Sequence, residues 1–202
     1  MTASQLYAVF YRYPPDGMDD AVTTVMSQCE LWEDNIMRLF IAIQLDPNIK
    51  KALTDAQNEL YQRGYKGRFT DITNMHLTLA FIGEFNDPDL ILEAMEQVPF
   101  EPFDLTLGGY IGNFGDLLWA GIDKSQQLEK YVKSLRHALS EAQIPFDGKK
   151  FNPHITLMRN AASKRGFSDI VIRKEEMSVC KISLMRSDFG KHGAVYTELG
   201  SV

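Results

Sequence analysis

The chain of 202 residues holds only two cysteines, Cys29 and Cys180, and no CxxC pair. That scarcity excludes a disulfide framework and a cysteine-ligated zinc module, and it fits a reducing, cytoplasmic setting. Long apolar runs are also missing. Nothing approaches the roughly 18 uninterrupted apolar residues of a transmembrane helix, and the opening stretch Met1–Pro15 lacks the basic-then-apolar order of a secretory leader. Basic charge is in deficit: 21 Lys and Arg against 27 Asp and Glu leave a net −6, which argues against a protein that coats nucleic acid non-specifically. No serine stands in a GxSxG setting, so a serine hydrolase is not expected. Histidine is scarce too, at four residues.

Two of those four open the same tetrad, His-x-Thr-apolar: His76-Leu77-Thr78-Leu79 and His154-Ile155-Thr156-Leu157, 78 positions apart. In an extended strand alternate side chains share a face. His76 and Thr78 then project to one side while Leu77 and Leu79 anchor the other, and His154/Thr156 divide from Ile155/Leu157 in the same way. The plain alternative for either copy is a strand histidine satisfied by a core hydrogen bond. Two copies of the same polar face weigh toward a paired function.

An imidazole titrates near neutral pH, so one of two neighbouring histidines can be neutral while the other holds a proton. In-line attack on a phosphodiester needs that division: a base to deprotonate water and an acid to protonate the departing alkoxide. Thr78 and Thr156 are placed to donate to the non-bridging oxygens, and Arg159, just past the expected end of the second strand, is a candidate phosphate clamp. Metal ligation by His76 and His154 lacks the carboxylate or thiolate companions of HExxH or paired CxxC sites, so no metal is expected. His137 and His192 stand alone and read as surface residues. Gly108-Gly109-Tyr110-Ile111-Gly112-Asn113-Phe114-Gly115 resembles a phosphate loop only in its glycines and is expected to be a long turn. Between Lys149 and Lys191 ten basic residues face four acids, a local +6 that suits an anionic ligand beside the second tetrad. Phe81, Phe151, Tyr110 and Phe114 are candidate base-stacking residues, with core packing as the alternative.

Residues 1–36 carry six acids against one basic residue, Arg12, and read as an N-terminal extension with a helix over Met18–Glu33. Met37, just before Arg38-Leu39-Phe40-Ile41-Ala42-Ile43, is a candidate natural start, leaving 37–202 as the functional domain. There the pattern predicts strands at Arg38–Leu45, His76–Ile82, Phe103–Leu107, Leu117–Ile122, His154–Met158, Val179–Met185 and Ala194–Leu199. Helices are expected over Pro47–Gln62, Pro88–Gln97 and Ser125–Ala142, with a loop at Gly64–Arg68 and a short helix near Arg165. A strand ending in Asp, a helix and a His-x-Thr strand occur twice in this order. Two similar units facing each other across a cleft would fit that echo, which does not establish a duplication on its own.

The segments Thr73-Asn74-Met75-His76-Leu77-Thr78-Leu79-Ala80-Phe81-Ile82-Gly83 and Phe151-Asn152-Pro153-His154-Ile155-Thr156-Leu157-Met158-Arg159 resemble the two motifs of the two-histidine phosphoesterases. Within these they look like the RNA 2′,3′-cyclic phosphodiesterases long labelled 2′–5′ RNA ligases. The strand Arg38–Ile43 and the ending Ser187-Asp188-Phe189-Gly190…Tyr196-Thr197-Glu198-Leu199 are similar to the family's first strand and last hairpin. The resemblance implies a bilobal α+β fold of two similar antiparallel-sheet lobes with outer helices and the active site in the cleft between them. It further implies His76 and His154 as the catalytic pair, Thr78, Thr156 and Arg159 on the phosphate, and no metal or cofactor. RNA 3′ ends or cyclic nucleotides would be the substrate, with no membrane and no obligate protein partner, the chain acting as a monomer. The rival readings are 2′–5′ ligation or another cyclic-nucleotide phosphodiesterase on the same site, a non-catalytic RNA or nucleotide binder, and a structural protein with two coincidental strand histidines.

Overall fold

A computed structural model describes residues 36–163, 166–191 and 193–202. The extension expected over 1–36, with its helix at Met18–Glu33, lies outside the described residues apart from Ile36. So do Lys164 and Arg165, where a short helix is expected, and His192. Met37–Val202 forms one compact unit.

Its elements are β1 (Met37–Gln44), α1 (Pro47–Gln62), β2 (Lys66–Phe69), a 3₁₀ turn (Ile72–Asn74), β3 (His76–Phe85), α2 (Pro88–Glu96), β4 (Phe103–Phe114), β5 (Leu117–Ile122), α3 (Gln126–Glu141), β6 (His154–Ala162), β7 (Glu176–Val179), β8 (Ser183–Gly190) and β9 (Gly193–Ser201). They build a four-stranded sheet in the order β3-β1-β8-β9 and a five-stranded sheet in the order β2-β6-β5-β4-β7. Neighbouring strands are antiparallel throughout. The result is the expected bilobal α+β fold.

Each helix starts where a side chain satisfies its free backbone N–H groups. Asp46 accepts from Ile49 N at 2.9 Å, Asp87 from Leu90 N at 3.0 Å and Ser125 from Leu128 N at 3.3 Å. Pro47 and Pro88 occupy the first helical turn, where no N–H is needed. Apolar residues at helical spacing then face inward: Ile49, Ala52, Leu53, Ala56 and Leu60 on α1, and Leu128, Tyr131, Val132, Leu135 and Leu139 on α3. Helix α1 packs against β6 and β7 of the five-stranded sheet, although it follows β1 of the other sheet. Helices α2 and α3 pack together, α2 touching β8 and β9 and α3 touching β3. Leu39, Ile41 and Ile43 of β1, Leu105 and Leu107 of β4, and Ile155 and Leu157 of β6 belong to one continuous core that both sheets share.

Three expectations need correction. Residues 108–114 are the second half of a long strand, not a turn; the chain kinks at Gly109 (φ 75°), where the register with β5 shifts between Leu107 and Ile111. The expected loop Gly64–Arg68 contains most of β2, which gains its ladder only by pairing with β6, far away in sequence. The single strand expected at Val179–Met185 is two strands in different sheets, because the chain crosses from one sheet to the other around Cys180–Ile182.

Candidate active site

His76 and His154 are each the first residue of a strand, β3 and β6, and these two strands touch across the two sheets. The alternation expected of the tetrads is present. Leu77, Leu79, Ile155 and Leu157 are almost wholly buried, whereas His76, Thr78, His154 and Thr156 are half-buried on the other faces. His76 lies opposite Gln44 of β1, and His154 opposite Gly121 of β5.

Both rings are held in the same way. His76 Nδ1 lies 2.7 Å from the carbonyl oxygen of Asn74, and His154 Nδ1 lies 2.7 Å from that of Asn152. A carbonyl oxygen only accepts, so Nδ1 carries the proton in both neutral rings and Nε2 is left with the lone pair. His76 Nε2 lies 3.0 Å from Thr78 Oγ1, whose hydroxyl donates to it. These two orienting carbonyls are not visible in the strand pattern; Asn74 and Asn152, two residues before each histidine, are the positions in the sequence that supply them.

Aromatic rings flank each imidazole. His76 packs on Phe40 at 4.8 Å and meets the ring of Tyr196 edge-on at 5.2 Å. Phe40, Ala42 and Met185 form a small apolar cluster with Tyr196, separate from the main core. His154 has Phe114 at 5.1 Å and Trp119 at 6.0 Å. Burial holds the His76 imidazolium below its ordinary pKa of 6.5; the Asn74 carbonyl offsets part of this, and the positive charges of Arg159 and His154 push it further down. Both groups therefore act on His76 from the opposite sheet.

Arg159 lies within β6, not beyond its end, opposite Arg68 of β2. It is exposed and makes no ion pair among the described residues. Five of the ten basic residues expected to form a patch are ion-paired. Lys149, Arg173, Lys174, Lys181 and Arg186 are engaged by Asp147, Glu175, Asp123, Glu198 and Asp188 respectively. Tyr110 and Phe114 are exposed on β4 and Phe81 on β3, while Phe151 packs partly against the core. His137 is exposed on α3, away from the tetrads in sequence and element.

A cavity of about 130 Å³ opens beside His76, with Gln44, Lys50, Thr73, Tyr196 and Glu198 in its wall. Its polar end is a network of residues remote from one another in sequence. Gln44 Nε2 donates to Glu198 Oε2 at 2.7 Å and to the buried Ser183 hydroxyl at 3.1 Å, and Lys181 donates to both carboxylate oxygens. Lys181 chiefly, with Gln44 and Ser183, holds the Glu198 carboxyl below the usual carboxylate range despite its partial burial.

Two antiparallel sheets with a His-x-Thr strand in each define the class of fold. Comparison with known proteins names it. The family model described as the 2′-5′ RNA ligase superfamily matches residues 45–190. An RNA 2′,3′-cyclic phosphodiesterase from Thermotoga maritima is 30% identical over 177 residues, 81% of this chain and 93% of its own. The crystal structure of E. coli LigT complexed with 3′-AMP matches with a TM-score of 0.69 at 25% identity, over 83% of this chain and 97% of that one. A Thermus thermophilus protein of solved structure matches with a TM-score of 0.65 at 30% identity, over 82% of this chain and 96% of its own. The chain belongs to the 2′-5′ RNA ligase superfamily. No helix among the described residues is long and apolar enough to cross a membrane.

Proposed function

We propose that this protein hydrolyses RNA 2′,3′-cyclic phosphate ends to 2′-phosphomonoesters, with His76 and His154 as a metal-independent acid–base pair. The observation that carries the reading is the matched presentation of the two imidazoles. Each opens a strand of its own sheet, and each has Nδ1 tied to the carbonyl two residues back, which leaves Nε2 as the ring nitrogen for proton transfer.

His76 suits the base, because burial favours its neutral form at pH 7. Its Nε2 takes a proton from water as the water oxygen bonds to phosphorus. The P–O3′ bond breaks, and His154 delivers a proton from Nε2 to O3′, leaving the phosphate on O2′. Each proton transfer is worth about 10²–10⁴ in rate. Thr156 donates to the non-bridging oxygens where negative charge gathers, and the Thr78 hydroxyl, held on His76 Nε2 before substrate enters, turns to them as the water takes its place at that nitrogen; the unpaired guanidinium of Arg159 balances the phosphate charge. Relatives named RNA 2′,3′-cyclic phosphodiesterase support the substrate class, and E. coli LigT has been solved with 3′-AMP and with phosphate. The protein acts as a monomer in the cytoplasm.

The test is incubation with an RNA ending in a 2′,3′-cyclic phosphate and assignment of the product by ³¹P NMR. A 2′-phosphomonoester formed equally with and without EDTA is expected. No turnover, a 3′-phosphomonoester, or loss of activity on chelation would overturn the reading.

A further inference from the structure

The glycines of the 108–121 hairpin have a purpose that the cyclic-phosphate chemistry leaves unused. Gly112 lies opposite Trp119, and Gly121 opposite His154. With the two-residue period of a strand, Tyr110, Gly112 and Phe114 of β4 therefore share a sheet face with Trp119 and Gly121 of β5 and with His154. A Cβ on Gly112 would fall 2.3 Å from the Trp119 indole. One on Gly121 would fall 2.2 Å from the Tyr110 ring, and one on Gly108 2.8 Å from the same ring. No real Cβ sits so close. The three glycines are hollows in which two aromatic rings lie down against the strand backbones.

Glycine inside a strand weakens it, and here the loss brings little core packing in return. Tyr110 and Phe114 remain 49% and 44% exposed. The rings instead form a linked chain, edge-on between Tyr110 and Trp119 and between Phe114 and His154, and tilted by 35° between Trp119 and Phe114. Tyr110 meets Trp119 at 6.0 Å, Trp119 meets Phe114 at 5.0 Å, and Phe114 meets the His154 imidazole at 5.1 Å. Aromatic rings on an open sheet face stack nucleobases whatever their identity, because every base has a π-face. This chain of rings runs into the imidazole assigned to the phosphate, which favours a nucleic acid strand over a protein partner as its occupant.

We infer that Tyr110, Trp119 and Phe114 form a base-stacking subsite for the single-stranded RNA that bears the cyclic phosphate. Phe114, against His154, takes the base of the terminal nucleotide, and Tyr110, joined to Phe114 through Trp119, takes the base of the nucleotide before it. The subsite makes the enzyme prefer an oligonucleotide end over a cyclic mononucleotide. This rests on the phosphodiesterase reading above, and the experiment separates the two.

The variants are Tyr110→Leu, which removes the ring, and Tyr110→Phe, which keeps it. Two readouts are used: kcat/KM for 2′,3′-cyclic CMP and for a short oligoribonucleotide with the same end, and the Kd of that oligoribonucleotide from fluorescence anisotropy. Tyr110→Leu should lower kcat/KM for cyclic CMP much less than for the oligonucleotide. It should weaken the oligonucleotide by about 5- to 150-fold in KM and Kd, the equivalent of roughly 1–3 kcal/mol for one stacked base, and Tyr110→Phe should restore it. An unchanged oligonucleotide Kd in Tyr110→Leu, or an equal loss on both substrates, would overturn the subsite. If wild type turns over neither substrate but binds the oligonucleotide through Tyr110, the subsite stands and the phosphodiesterase reading falls.

Discussion

Replacing His76 by Gln probes the proposed mechanism from two directions. Glutamine is close in size, and its amide can still meet the Asn74 carbonyl and the Thr78 hydroxyl that hold the ring at 2.7 and 3.0 Å. It cannot accept a proton at neutral pH. If His76 is the base, kcat should fall by about 10²–10⁴, or roughly 2.7–5.5 kcal/mol of transition-state stabilisation. The pH profile carries a sharper mark. Because kcat/KM reports groups on the free enzyme, its acidic limb in wild type should lie below 6.5, the value from which burial first and then the charges of Arg159 and His154 lower His76. That limb should vanish in the variant. Stability follows the same group. Just below pH 6.5 the unfolded chain binds a proton at His76 that the folded chain resists, so the unfolded state holds more protons and stability rises with pH. The contribution is complete above 6.5 and is lost as pH falls through the window beneath it. Thermal melting across that range should show a steeper acid loss in wild type than in His76→Gln. An acidic limb that lies above 6.5, or one that survives the substitution, would assign the base to another group.

Thr156→Val, which exchanges a hydroxyl for a methyl beside His154, should lower kcat roughly 10²-fold while leaving the melting temperature nearly unchanged, as expected for a donor used only in the transition state. Gly112→Ala puts a methyl 2.3 Å from the Trp119 indole. Overpacking of this kind costs about 1–3 kcal/mol, or roughly 2–12 °C in Tm at 2–4 °C per kcal/mol, with a change in the near-ultraviolet circular dichroism of the displaced indole. A variant as stable as wild type, with the same spectrum, would contradict the close approach of that ring. Asp46→Ala removes the acceptor of Ile49 N and should destabilise the fold by about 0.5–2 kcal/mol in urea titration. Activity at permissive temperature should be unaffected, since Asp46 caps α1 and touches neither imidazole.

The tetrads were legible because strand alternation is a local rule. Histidine, threonine and the two apolar residues between and after them carry their faces with them, so Leu77, Leu79, Ile155 and Leu157 could be placed in the core and His76, Thr78, His154 and Thr156 outside it from spacing alone. The helices were legible for the same reason: Asp46-Pro47, Asp87-Pro88 and Ser125 start them, and apolar spacing names their buried sides. Strand β2 was not, since Lys66-Gly67-Arg68-Phe69 has no apolar pattern and is held by its ladder to β6. The 108–114 segment is a strand where its glycines signal a turn, because here they make room for rings supplied by its own and a neighbouring strand.

The sequence by itself determined where the paired imidazoles and hydroxyls stand along the chain, and which face of its strand each would occupy. Only the tertiary structure decided that β3 and β6 meet, that Asn carbonyls orient both rings, that Arg159 and His154 lower the basicity of His76, and that aromatic rings surround the two imidazoles. The division has a physical cause. Backbone geometry fixes the direction of a side chain from its immediate neighbours, whereas the field and the packing around it come from strands that are close in space and remote along the chain.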